Sequence, residues 1–139
     1  MSTPLPMHPR TPRGRARAGG YELLEVQRAT ELIEDIGSDL DRQLRLETHE
    51  PERLRLLREA TNRITRTAND AIRAYAKGQR AIKAQLARTD EDAEAVLAMQ
   101  RSLQGARLDL LRALRQAERR YPWAGPGAAQ PTAAGRAPT

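Results

Sequence analysis

The chain has 139 residues, a net charge of +6 and no cysteine. Without cysteine it has neither a disulfide framework nor a thiolate metal site. No apolar run approaches the roughly 20 residues that cross a bilayer. Ala, Arg, Leu and Glu are the most common residues, and Phe is absent. This composition favours helices over strands, so we predict an all-α protein of a bacterial-type cytoplasm with no membrane segment.

Residues 1–20 predict a disordered basic arm. Prolines recur through this stretch and prevent a helix from propagating, and Gly19 and Gly20 make a flexible joint. No acidic residue lies among its arginines, which are Arg10, Arg13, Arg15 and Arg17.

A first helix is predicted over residues 21–46. Its apolar residues recur at steps of three and four, which is typical of one buried helix face; they are Val26, Ala29, Ile33, Ile36, Leu40 and Leu44. Gly37 and Ser38 interrupt the middle of this stretch. They favour a kink there, with a full break as the alternative.

A second helix is predicted over residues 51–87, with Pro51 at the first position, where a missing N–H is tolerated. Its apolar seam follows a heptad pattern through Leu54, Leu57, Thr61, Ile64, Ala68, Ala71, Tyr75, Gly78, Ile82 and Gln85. Small residues fill the middle of the seam and bury little area each. We therefore expect this stretch to be the looser part of the protein, or else the seat of an intermolecular contact.

A third helix is predicted over residues 90–121. Thr89 to Asp92 resemble a capping box followed by acids at the positive end of the helix dipole. Pro122 ends the helix. Residues 122–139 are rich in Gly, Ala and Pro and predict a disordered tail.

Short loops between consecutive helices force antiparallel neighbours, so we predict an antiparallel, coiled-coil-like three-helix bundle over residues 21–121. The second helix is longer than the first, and an overhanging apolar seam favours a homo-oligomer or a helical protein partner. The candidate interface residues are Leu54, Leu57, Ile64, Ile72, Tyr75, Ile82 and Leu86.

Charge is distributed unevenly along the chain: residues 21–47 carry a net −5 and residues 48–88 a net +6. A basic ridge is predicted on the solvent side of the second helix, formed by Arg63, Arg66, Arg73, Lys77, Arg80 and Lys83. The favoured interpretation is a solvated face that pairs with the acidic first helix, within the bundle or across a dimer. The alternative is that the ridge, together with the arm, forms a face that binds DNA phosphates. No helix-turn-helix, zinc-finger or RNA-recognition signature occurs, so any DNA contact would be weakly sequence-specific.

No motif for nucleophilic catalysis, nucleotide binding or metal binding occurs in the sequence. His8 and His49 lie apart, each without a second ligand at metal spacing. Glu31 and Glu34 have the one-turn spacing of Mg²⁺-binding pairs, but they fall outside the apolar stripe. We therefore predict no enzyme, no cofactor and no small-molecule substrate. The favoured function is a non-enzymatic interaction and oligomerisation module, and the alternative is a DNA-associated accessory protein.

Overall fold

The computed structural model describes residues 18–88 and 93–121. It contains three helices: α1 at Gly20–Leu46, α2 at Glu50–Arg88 and α3 at Ala93–Arg120. Every pair of helices is in contact, which confirms the predicted all-α three-helix bundle. Within the described residues there is no strand, and no helix has an apolar stretch that could cross a membrane. Residues 1–17 of the predicted arm, the predicted tail and the predicted capping box at Thr89–Asp92 lie outside the described residues, whereas Gly20 of the predicted joint already belongs to α1.

The helices run up, down and up. Gly19, at the start of α1, lies against Ile82 near the end of α2. At the opposite end, Arg53 near the start of α2 hydrogen-bonds Leu44 near the end of α1. These two helices are therefore antiparallel. Tyr121, directly after α3, reaches the second half of α1, so α3 runs parallel to α1.

The core is built from an apolar face of each of the three helices, and on α1 and α2 this face contains residues of the predicted stripe. Its most buried large side chains recur at helical spacing on each helix, as expected for faces that pack together. They are Val26, Ile33 and Leu40 on α1, Ile64 and Ile82 on α2, and Leu103 and Leu110 on α3. Full burial of each such side chain stabilises the fold by about 1.5–3 kcal/mol.

The small residues in the middle of the α2 seam make a tight contact. Ala68, Ala71 and Gly78 are buried inside the chain's own bundle. A Cβ atom added at Gly78 would lie 3.0 Å from the Cβ atom of Glu22 and 3.0 Å from the Cδ2 atom of Leu103. The expectation of a loose stretch or an intermolecular seat here is therefore wrong. Small side chains let the helix backbones approach closely. Many close van der Waals contacts then stabilise this stretch, although each side chain buries little area.

Helix α1 is continuous through Gly37 and Ser38, without the alternative break. Its start depends on Gly19, which adopts the left-handed conformation at φ 88°. The Gly19 carbonyl accepts the N–H of Leu23 at 2.8 Å and so forms the first turn. A side chain at Gly19 would be strained and would also meet Ile82 at 3.0 Å.

Candidate functional site

Among the described residues, α3 ends before α1 and α2 do at one end of the bundle, so this end contains α1 and α2 alone. α2 has 39 residues and α3 has 28. Leu103 faces Gly78, and the Arg107 guanidinium lies 5.5 Å from the centre of the Tyr75 ring. Counting along both helices from these contacts, α3 ends about level with Thr61 of α2. We call residues 40–60 the open end. The overhang of α2 predicted from the sequence thus exists relative to α3.

Leucines line the open end but are incompletely covered there. Leu54 and Leu57 continue the α2 seam beyond α3 and are half-buried. Leu44 of α1 is also half-buried, and Leu46 is 81% exposed. The seam isoleucines of the three-helix part are no more than 1% exposed. The same seam is therefore a closed core along α3 and an apolar groove beyond it.

A polar network holds the two helices of the open end together. The Arg53 guanidinium donates to the carbonyl of Leu44 and, at 2.8 Å, to the carbonyl of Glu47. These contacts satisfy carbonyl groups at the end of α1 that have no partner within the helix. The Glu47 carboxylate also accepts the N–H of His49 at 3.0 Å. The hairpin is therefore fixed without support from α3.

Charges on the open end are balanced. Residues 40–60 contain five acidic residues and five arginines. Arg55 forms ion pairs with Glu52 and with Glu59. The hydrogen bond from Arg55 lowers the pKa of the Glu52 carboxyl below its ordinary value, and the same contact raises the pKa of Arg55. Because these groups are solvent-exposed, the pairs neutralise the surface more than they stabilise the fold.

The basic ridge lies on the outer face of α2, and all six of its side chains are exposed. Among the described residues its one ion pair joins Arg73 to Asp70 on the same helix. No ion pair in the described ranges joins the ridge to the acidic α1. Pairing between the two helices within the bundle, one of the two predicted interpretations, is therefore not observed there. The arginines of the arm lie outside the described residues.

The predicted interface residues fall into three groups. Ile64 and Ile82 are buried in the core, so a partner could reach them only if the bundle opened. Four more are half-buried, namely Leu54, Leu57, Tyr75 and Leu86, and the last three of these pack against the core. The exposed member of the set is Ile72, at 50%.

A shallow cavity of about 200 Å³ lies between α1 and the end of α3. Gly37, Ser38 and Arg120 contribute to its lining, together with Glu34. It is smaller than the roughly 300–1,000 Å³ of ordinary ligand pockets. Glu31 is exposed on α1. Across residues 18–88 and 93–121, no three His, Cys, Asp or Glu side chains are grouped to hold a metal ion.

Sequence reasoning missed the side chain that fixes the end of α3. The Tyr121 hydroxyl donates to the Asp41 carboxylate and, at 3.3 Å, to the Gly37 carbonyl. Arg120 contacts the same carboxylate at 3.2 Å. These contacts anchor α3 to α1 and so determine where the open end begins. Helical spacing could have indicated that Tyr121 lies on the buried face of α3, since it continues the stripe of Leu110 and lies four residues after Ala117.

Comparison of the chain with protein families, curated proteins and solved structures finds no match. Two surfaces of the chain itself remain as candidate functional sites. The open end carries partly exposed leucines among balanced charges, and the basic ridge is strongly positive.

Proposed function

We propose that the protein is a non-enzymatic helical interaction module whose open end receives another helical surface. The observation that carries this proposal is the continuation of the α2 leucine seam beyond the end of α3. Leu54 and Leu57 stay partly exposed because α3, as far as the structure describes it, ends before them. An apolar groove between two helices, with charged residues at its edge, is a common docking site for a helix.

Side-chain size along α2 supports this proposal. Where α3 covers it, the seam includes small residues such as Ala68 and Ala71 beside the buried Ile64 and Ile82, and where nothing in the described residues covers it, the seam contains leucines. A helix placed over Leu54 and Leu57 would remove their remaining apolar surface from water. At ~25 cal/mol per Å² of apolar area, each such leucine would contribute on the order of 1 kcal/mol to binding.

Site-specific photo-crosslinking in the cells that naturally produce the protein tests the proposal. A photoreactive residue replaces Arg58, which is exposed and lies one turn from Leu54. We expect a covalent adduct of defined mass after irradiation. The matched control places the same residue at Glu31, exposed on α1, and we expect no adduct there. Absence of an adduct at Arg58, with the protein folded and expressed normally, would contradict an interaction through the open end.

A second candidate function is binding to the phosphate backbone of DNA through the basic ridge. Residues 61–88 contain seven basic residues and one acid. Arg66, Arg73 and Arg80 are seven residues apart, so they follow one another at about 10 Å along the same helix face. Among the described residues, Arg73 is the one ridge residue that forms an ion pair. The other ridge side chains therefore remain available to phosphates.

Fluorescence anisotropy of a labelled DNA duplex, titrated with the full chain at two salt concentrations, tests this candidate. Binding through the ridge should weaken as salt rises, with a slope of about −0.9 for each phosphate neutralised. Replacing Arg66, Arg73 and Arg80 with Gln should reduce both the affinity and the slope. The charge-matched control replaces Arg42, Arg45 and Arg58 at the open end. Equal losses in both triple variants would mean that net charge, and not the ridge, determines binding.

A further inference from the structure

We propose that the partner of the open end is the open end of a second copy of this chain, in a symmetric dimer. This inference rests on the proposed interaction function and names its partner. Two hairpins, each the end of α1 joined to the start of α2, would pack against one another as a local four-helix bundle. Each copy would supply the helices that α3 is too short to provide.

The charge distribution favours a second copy as the occupant. In a twofold contact each surface patch meets its own equivalent, so a patch with a large net charge repels itself. Residues 20–39 contain six acids and one arginine, and residues 61–88 contain seven basic residues and one acid. The open end between them has five of each sign. It therefore combines an apolar groove with the charge balance that a symmetric contact requires.

The dimensions of the open end fit this arrangement. At ~1.5 Å per residue, α1 extends about 10 Å and α2 about 16 Å beyond the end of α3. An antiparallel hairpin from a second copy has the same two lengths, so it matches the space beside Leu54 and Leu57. The Arg53 contacts to Leu44 and Glu47 hold each hairpin in a fixed shape before association. Little ordering is then needed on binding.

The size of the contact predicts a weak dimer. The open end spans residues 40–60, of which one face can meet the partner. Stable interfaces of standard size use about 20–30 residues on each side. The contact is therefore below standard size, and we expect monomer and dimer to exchange at protein concentrations of roughly 10–100 µM.

Sedimentation equilibrium of the full chain over a range of concentrations is the first measurement. We expect the average mass to rise from the monomer value of 15.5 kDa towards twice that value. Leu54→Asp and Leu57→Asp should keep the protein monomeric over the same range. Ile72→Asp and Leu108→Asp place the same charge at exposed apolar positions of the three-helix part and should leave the dimer intact. Circular dichroism melting confirms that each variant is folded.

A second measurement avoids substitution of the leucines. Because the chain has no native cysteine, Arg58→Cys introduces a single thiol beside the groove. Under a mild added oxidant we expect rapid formation of a disulfide-linked dimer. Leu108→Cys, exposed on α3, is the matched control and should crosslink at the slower rate set by random collision.

Several outcomes would overturn the homodimer. A monomer at all concentrations, together with a heavier crosslinked adduct at Arg58, would keep the interaction function and replace the second copy with a different protein. A dimer that dissociates in high salt and leaves Arg58→Cys unlinked would assign the contact to the acidic and basic faces. A monomer in which Leu57→Asp shifts the emission of Trp123, the single tryptophan, would identify the chain's own residues after Tyr121 as the occupant.

Discussion

The three-helix part and the open end use the same α2 seam in opposite ways. Along α3 the seam includes small residues beside the buried Ile64 and Ile82, and at Gly78 the three helices approach so closely that no Cβ atom fits without displacement. In the open end the seam contains leucines that remain partly exposed. Where the side chains are small, the core is fully packed because the helix backbones lie close together. The leucines lie where no described residue covers the seam. Exposed apolar surface of this kind is typical of a site that binds a partner.

The largest expected contrast is between two apolar residues of the α2 seam. Ile82→Ala should reduce the free energy of unfolding by about 2–5 kcal/mol, because Ile82 is fully buried and its loss leaves a cavity. Leu57→Ala should reduce it by about 1 kcal/mol, because this side chain is already partly in water. Chemical denaturation of both variants, at a concentration below dimer formation, measures the difference. Equal losses would mean that the open end is as closed as the three-helix part.

The next contrast concerns the polar support of the open end. Arg53→Ala should reduce the free energy of unfolding by about 1–2 kcal/mol, since the carbonyls of Leu44 and Glu47 lose a charged donor. Arg58→Ala removes an exposed arginine of the same helix and should change it by less than about 0.5 kcal/mol. Hydrogen exchange should show faster opening at the end of α1 in Arg53→Ala. If the two variants behave alike, the hairpin is held by its leucines alone.

Two Gly→Ala substitutions, at Gly78 and Gly105, test the close approach of the helices. We expect smaller changes in stability here, with opposite signs at the two positions. Gly78→Ala should destabilise the protein by about 1 kcal/mol, because overpacking between Glu22 and Leu103 exceeds the gain in helix propensity. Gly105→Ala should stabilise it by about 0.5–1 kcal/mol, because an added Cβ atom meets nothing within 4 Å. Thermal melts of both variants decide the signs. Stabilisation in both would show that α1 and α3 can move apart at no cost.

The contrast between the two regions also shows what sequence can predict. Helical periodicity identified the buried stripes, because burial on a helix repeats at steps of three and four. The small residues of the α2 seam indicate that a neighbouring helix can approach closely, but which residues of α1 and α3 meet Gly78 could not be predicted. The position of the open end depends on the end of α3, which the contact between Tyr121 and Asp41 fixes across 80 residues of sequence. Spacing within one helix carries no information about such a pairing.

The smallest expected effect concerns pH and the charges of the open end. Arg55 lowers the pKa of Glu52 in the folded protein, so the charged carboxylate is favoured by folding. Its contribution to stability is therefore present above the unfolded-state pKa and is lost as the pH falls through the folded-state value. In a carboxyl NMR titration, Arg55→Gln should raise the Glu52 midpoint towards its ordinary value, and added salt should do the same in the native protein. A midpoint that does not move in either experiment would mean that Arg55 and Glu52 remain apart in solution. The charge balance of the open end would then come from separate charges, which still permit a symmetric contact.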